Sequence, residues 1–274
     1  MKRNLQEINN TLKSLVDRKV ELMVVSKYVS TESLFATIVL GNYLVGENYV
    51  QEAKRKFTSL SLIKDLVANK SLLEEFLEGN LNAIATNGLS YDEEVWNDIL
   101  FLRNYKNLLQ DNDFYQELKG NLSKVKLYII GNVQSRKLKE VCSFADGIAS
   151  ISTEKSILKA NTYATDSKRK LDILLQLKSP LVNQDNRAGA SEEEIYNLAK
   201  QLKSLDNLKL KGLMFIASTD NKVEEYEFAQ KVHQKLLEIE PNATTLSMGM
   251  SDSLEISLKY GSTQVRIGSA IFKE

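Results

Sequence analysis

Leu246-Ser247-Met248-Gly249-Met250-Ser251-Asp252, then a helical stretch, then Val265-Arg266-Ile267-Gly268-Ser269-Ala270-Ile271-Phe272, decide the fold. Two short apolar runs each end in a turn of small residues, and the first turn leads into a helix. Such turns can aim several backbone N–H groups at one anion. In a closed parallel barrel, the loops after the last two strands are the usual phosphate site. The stretch predicts the end of such a barrel and a phosphorylated small molecule as ligand.

Working outward, short β-branched or apolar runs alternate with amphipathic helical stretches. The predicted strands are Glu21–Ser26, Asn42–Gly46, Val125–Gly131, Gly147–Ile151, Leu171–Leu177, Gly212–Ile216, Thr244–Met248 and Gln264–Gly268. Strands separated by helices in this way predict a (β/α)8 TIM barrel. The alternative, an open doubly wound sheet, would show a glycine-rich first turn, and none follows the first strand. Ser191-Glu192-Glu193-Glu194 predicts a capping box, and Lys222 to Ile239 a helix carrying Val223, Tyr226, Val232 and Leu236 at helical spacing.

One run exceeds a normal βα crossover. From Glu47 to Lys124 the pattern predicts a helix over Ser59–Leu77, a break at Gly79, Asn80, Asn87 and Gly88, and a capping box at Ser90–Glu93 leading into Val95–Leu109. The chain is therefore predicted to be one domain, 1–274, with a helical insertion over about 58–122. The insertion's aromatics (Phe76, Trp96, Phe101, Tyr105, Phe114, Tyr115) are expected to form its own small core.

Composition narrows the function. Lys+Arg and Asp+Glu both number 36, so no net field draws the chain to nucleic acid or membrane. Lys54-Arg55-Lys56 and Lys168-Arg169-Lys170 read as solvated faces. The single Cys142 excludes an internal disulfide and reads as a buried structural thiol. The N-terminal segment, with Leu5, Ile8, Leu12 and Leu15 at helical spacing, has no apolar signal core, and no stretch approaches the ~20 apolar residues of a membrane span. A cytoplasmic monomer is expected.

The strand ends carry the candidate chemistry. Lys27 follows the first strand, where burial in a barrel mouth would lower an amine's pKa. A mouth lysine together with a phosphate site is what a pyridoxal-phosphate Schiff base needs. Arg266 lies inside an apolar strand and demands a partner, either a buried salt bridge or a cofactor heteroatom.

These pieces resemble the pyridoxal-5′-phosphate homeostasis proteins, single-domain relatives of the alanine racemase N-terminal barrel. The matching blocks are Val24-Val25-Ser26-Lys27, Gly46-Glu47-Asn48-Tyr49-Val50-Gln51-Glu52-Ala53, Ile130-Gly131-Asn132-Val133-Gln134-Ser135-Arg136-Lys137, Gly212-Leu213-Met214, and Leu246 to Phe272. The resemblance implies that Lys27 forms the Schiff base, that Arg266 faces the pyridine nitrogen and that Asn48 lies near the ring. It implies that Ser247, Met248, Gly249, Ser251, Gly268 and Ser269 cradle the phosphate. Departures from the family pattern are Val29 and Ser30 for a lysine and proline, Asn132 and Tyr128 for two histidines, Lys178 for an asparagine and Arg187 for a lysine. They bear on functions needing the accessory groups, such as cofactor hand-off. His233, in the helix after strand 6, reads as a surface or helix-packing residue.

An arginine at the ring nitrogen can neither surrender a proton to it nor accept one from it, so the cofactor's electron sink is blunted. Alanine racemase adds a tyrosine base from a second domain and a partner subunit; here the sequence stops at Glu274, shortly after the last strand. A cofactor carrier is therefore expected, with pyridoxal-phosphate apoenzymes as recipients. Two rivals remain: a weak amino-acid racemase using Tyr28, Tyr43 or Tyr128, and a barrel enzyme forming a Schiff base with a phosphosugar through Lys27.

Overall fold

The structure, a computed structural model, describes residues 1–80, 91–179, 181, 188–218 and 220–273. Packing divides the chain into two compact units: Met1–Lys27 with Leu44–Val50 and Lys126–Glu274, and Tyr28–Tyr43 with Gln51–Val125.

The first unit holds a closed barrel of parallel strands in sequence order: β1 (Glu21–Val25), β2 (Leu44–Glu47), β3 (Lys126–Ile129), β4 (Gly147–Ile151), β5 (Leu171–Leu177), β6 (Leu208–Phe215), β7 (Thr245–Ser247) and β8 (Gln264–Ile267). The predicted fold is the one observed. Its strands are apolar nearly throughout because a parallel barrel is covered on both faces, outside by helices and inside by its own side chains. Met23, Tyr128, Ala149, Leu174 and Met214 fill the interior, with Leu44 and Ile130 against them. The helix Lys2–Leu15 buries Leu5 and Leu12, and Asn4 Nδ2 donates to the carbonyls of Ile271 (3.1 Å) and Lys273 (2.8 Å).

β6 starts before its predicted position. Lys209 and Lys211 interrupt the apolar run, so only Gly212 onward reads as strand; in the structure Leu208 and Leu210 alternate with them and are buried, and the ladder to β5 already begins at Leu208. The register shifts where Ile173 and Leu174 face Leu210 and Gly212. Gly212 has φ +146, and a Cβ there would lie 1.8 Å from the Thr245 carbonyl oxygen, so glycine is required at this bulge.

The second unit contains the helices Thr31–Val39, Val50–Ala68, Lys70–Glu78, Glu93–Asp98, Lys106–Gln110 and Asn112–Ser123 and a 3₁₀ turn, Leu100–Tyr105. The predicted helix over Ser59–Leu77 is two helices. Asn69 separates them because its side-chain oxygen accepts from Leu72 N (3.3 Å), a cap that competes with helix continuation. Val95–Leu109 is likewise broken, into two short helices around the 3₁₀ turn. The break at Gly79 is a left-handed C-cap with φ +90. Asn87, Gly88 and the capping-box serine Ser90 lie outside the described residues.

The aromatics do build an interior. Phe76 is fully buried and stacks on Trp96 (6.1 Å), while Phe101 and Tyr105 pack on Phe35, each at 5.3 Å. Phe35 belongs to the helix after β1, so the inserted helices share a core with a barrel crossover. Asp98 fastens this unit, accepting from Thr31 Oγ1 (2.5 Å), Ser59 Oγ (2.7 Å) and Arg55 Nη1 (2.5 Å). Lys54-Arg55-Lys56 is therefore not a solvated face. Lys56 is buried and paired with Glu52 (2.6 Å), because three consecutive residues of a helix point in different directions.

Candidate functional site

At the C-terminal ends of β1 to β4 the strands are laced together by polar side chains. Glu47, at the end of β2, is fully buried; its Oε1 accepts from Ser26 Oγ (3.0 Å) and its Oε2 from the amide of Asn48 (3.0 Å). The Glu47 carbonyl accepts from Ile130 N (2.9 Å), and Ser150 Oγ donates to the Gly131 carbonyl (2.7 Å). A Cβ on Gly131 would meet the Asn48 carbonyl oxygen at 2.3 Å, so the loops after β2 and β3 touch through bare backbone. Asn48 is half-buried within this lacing.

Lys27 follows β1 after Ser26 and is exposed. The expectation that the barrel mouth buries this amine is not met, since the residue is exposed. In the second unit, Tyr28 adopts φ +61, a conformation rare outside glycine, with its amide held by Glu52 Oε1 (2.8 Å).

Arg266 is the opposite case. It is almost wholly buried, and its guanidinium donates to the Ser247 carbonyl (2.7 Å), Ser247 Oγ (2.9 Å) and the Phe215 carbonyl (2.9 Å). All three are neutral oxygens, and among the described residues no carboxylate pairs with it. Burial lowers its pKa to about 10, which leaves it cationic at neutral pH. Of the two partners expected for it, a salt bridge or a cofactor heteroatom, the salt bridge is not among these contacts. A buried cation satisfied only by dipoles still favours an electron-rich ligand atom.

The two small-residue turns lie side by side. Arg266 N donates to the Gly249 carbonyl (3.0 Å), joining β8 to the turn after β7. Gly249 has φ +100, and a Cβ there would strike Ser257 Oγ at 2.1 Å. After β8, a Cβ on Gly268 would lie 2.9 Å from the Val25 carbonyl oxygen, so this turn is packed on β1 two residues before Lys27. The helix Ser269–Phe272 begins there with Ile271 N bonded to the Gly268 carbonyl (2.9 Å); the Ser269 and Ala270 amides precede that first bond. Ser251 and Ser269 are exposed in these turns.

Ser247 and Met248 sit lower. Ser247 is buried beneath Arg266, and the Met248 amide donates to Gln264 O (3.1 Å) while its carbonyl accepts from Ser262 Oγ (2.7 Å). Their carbonyls are taken by the Arg266 guanidinium and Ser262 Oγ and the Met248 amide by Gln264 O, and both residues are buried, unlike the exposed Ser251 and Ser269.

Tyr128 is not a mouth residue. Its ring fills the barrel interior and its hydroxyl donates to Asp172 Oδ2 (2.7 Å) near the start of β5, at the barrel's other end. Burial, then the Asp172 charge, raise its pKa far above that of a free phenol. Tyr43 precedes β2 and is likewise at a strand's N-terminal end. Asn132 is exposed and Lys178, after β5, half-buried; Arg187 lies outside the described residues. His233 is buried and bonded to the Ala243 carbonyl (2.9 Å), which makes it a helix-packing residue, and Cys142 is a buried thiol whose pKa burial raises to about 12. Glu47 and Ser26 were not singled out in the sequence as site residues. The available signal was a charged residue closing an apolar strand. Glu225, buried in the helix Val223–Ile239, likewise accepts from the amide and hydroxyl of Ser218 in the loop after β6, a contact that no strand-end pattern signals.

The fold is that of a (β/α)8-barrel protein, and the candidate residues Lys27, Asn48, Gly249 and Gly268 lie at the C-terminal ends of its strands, the face that carries function in such barrels. The chain belongs to the alanine racemase N-terminal domain family, whose model matches residues 1–274. A pyridoxal phosphate homeostasis protein of Pasteurella multocida is 26% identical over 284 residues, covering 99% of this chain and 96% of that protein. Another protein of that name, from Haemophilus influenzae, is 35% identical over 151 residues; the match spans 53% of this chain and 63% of the relative. Among solved structures, PipY of Synechococcus elongatus, determined with PLP bound, superposes with a TM-score of 0.66 at 20% identity, covering 99% of both chains. An alanine racemase of Clostridium difficile superposes at 0.57 with 12% identity, and this chain covers 57% of it.

Proposed function

We propose that this chain is a pyridoxal 5′-phosphate-binding protein that holds the cofactor as a Schiff base on Lys27 and serves intracellular vitamin B6 homeostasis without turning over amino acids. The observation that carries this reading is the packing of Gly268 on Val25. That packing supports a turn able to offer amides to an anion beside the strand that Lys27 follows by two residues, and an amine next to a phosphate site is the requirement of this cofactor. The relatives named for pyridoxal phosphate homeostasis and the PLP-bound PipY support it.

When bound, the cofactor supplies an aldehyde for the lysine and an electron-withdrawing ring. The chain's own groups do the rest. The amides and hydroxyls at Gly249, Ser251, Gly268 and Ser269 hold the phosphate. Arg266 presents N–H groups to the ring nitrogen and, being a poor acid, withholds its proton. Asn48 lines the ring's edge from the β2 loop, and Ser247 and Met248 support the cradle from below. Tyr128, turned to the far end of the barrel, supplies no base. We read the cytoplasm as the compartment, on the single cysteine and balanced charge, and pyridoxal-phosphate apoenzymes as recipients, on the carrier reading itself.

An absorbance spectrum of the purified full chain with added pyridoxal phosphate tests this. A violet band that borohydride removes, with the reduced label on Lys27, is expected. No band, or a label on another lysine, would overturn the reading.

A further inference from the structure

We infer that Glu47 is a positioning residue for Lys27: it fixes the end of β1 through Ser26 so that an otherwise exposed amine is presented in one orientation. This inference rests on the reading of Lys27 as the cofactor lysine. Glu47 is fully buried, and a carboxylate with no access to water is costly unless its oxygens are used. They are used at adjacent strand ends. Oε1 takes the Ser26 hydroxyl at 3.0 Å, and Oε2 takes the Asn48 amide at 3.0 Å.

Ser26 is itself fully buried and immediately precedes Lys27; its amide donates to the Gly46 carbonyl (3.1 Å), so backbone and side chain are both tied to β2. The Glu47 carbonyl takes Ile130 N (2.9 Å), which ties β3 to the same residue. One side chain thus joins the peptide before Lys27 to the loop that carries Asn48. Lys27 has four rotatable side-chain bonds and is exposed, so its geometry can be set only from its backbone. Losing one charge-assisted bond at that anchor is expected to slow capture of the aldehyde about tenfold.

The role is geometric, and glutamine separates geometry from charge. In Glu47→Gln the amide oxygen can accept from Asn48 N–H and the NH2 can donate to Ser26 Oγ, a hydroxyl that also accepts. The full chain, unmodified and as Glu47→Ala, Glu47→Gln and Ser26→Ala, is mixed with pyridoxal phosphate. The rate of the violet band, its induced circular dichroism, the borohydride-fixed label on Lys27 and the thermal midpoint are recorded. Glu47→Ala and Ser26→Ala should capture the cofactor about tenfold more slowly and lose most of the induced dichroism, and Glu47→Gln should restore most of both.

Two results overturn the inference alone: capture and dichroism at the unmodified level in folded Glu47→Ala or Ser26→Ala, or a folded Glu47→Gln as impaired as the alanine variant. If Glu47→Ala does not fold, Ser26→Ala decides the matter. Absence of any Lys27 label in the unmodified chain would overturn the cofactor reading itself, and this inference with it.

Discussion

Arg266 on β8 grips Ser247 on β7 twice, through its carbonyl oxygen at 2.7 Å and its hydroxyl at 2.9 Å, and extends to Phe215 O on β6. The cation is thereby locked across three strands and cannot swing out to find a carboxylate. Its remaining electrostatic demand is directed at whatever enters the barrel end.

The first consequence concerns catalysis. Deuterium exchange at the α-carbon of alanine should be negligible beside that of a racemase. Arg266→Glu would place an acceptor where a donor stood, favour a protonated ring nitrogen and strengthen the electron sink. That variant should hold cofactor less firmly yet show more exchange and side transamination, read by mass spectrometry of the amino acid. Rapid, saturable racemisation by the unmodified chain would refute the carrier reading.

The phosphate turns can be tested by small changes. On the proposed reading, removing the hydroxyl of Ser251 or Ser269 would delete a charge-assisted hydrogen bond worth ~1.5–3 kcal/mol, and cofactor affinity should fall about tenfold or more without vanishing. Gly268→Ala should be worse, because its Cβ meets the Val25 carbonyl oxygen at 2.9 Å and must push the turn away from β1. Titration by the visible band measures both; an unchanged affinity in the Ser251/Ser269 double variant would remove these hydroxyls from the site.

Tyr128→Phe separates a structural tyrosine from a catalytic one. It loses the bond to Asp172 (2.7 Å), with Lys126 still near that carboxylate at 3.3 Å. Stability to denaturant should drop by about 1 kcal/mol, while cofactor capture stays as in the unmodified chain. A loss of capture at retained stability would return Tyr128 to the site.

His233 should make stability pH-dependent. Burial lowers its folded pKa below the ordinary 6.5, against the smaller opposing effect of Ala243 O. The unfolded chain then binds a proton that the folded chain resists. This contribution is fully present above about pH 6.5 and is lost as pH falls from there toward the folded pKa. Urea midpoints from pH 8 down to 5.5 should decline, and less steeply in His233→Gln. Equal slopes would place the titrating group elsewhere.

Asp98→Ala removes an acceptor shared by Thr31, Ser59 and Arg55 within the helical unit. With three donors orphaned at a mostly buried position, a loss of about 2–4 kcal/mol is expected. Hydrogen exchange should report it first in the helices Thr31–Val39 and Val50–Ala68.

The barrel was legible because its information is local. Apolar strands, helical spacing and glycine turns recur along the chain, and the strand ends follow from their order. Lys27, Arg266 and the turns at Gly249 and Gly268 are candidates on that basis. Less legible were features in which a local pattern competes with a distant partner. Lys209 and Lys211 hid the start of β6 because strand pairing tolerates an outward lysine at an edge of the barrel wall. Asn69 split a helix whose apolar spacing runs through it.

What the sequence by itself determined is the order and type of elements, the closed parallel barrel, and which residues come at strand ends, since each depends on neighbours a few positions away. Only the tertiary structure decided which of those residues are buried and what they touch. Arg266 found neutral oxygens instead of a salt bridge, and Lys27 stayed exposed where burial was expected. Tyr128 turned its hydroxyl toward Asp172, Lys56 went inside against Glu52, and Glu47 became the junction of three strand ends. Burial and hydrogen-bond partners are set by side chains brought together from distant parts of the chain, and no spacing along one segment encodes them.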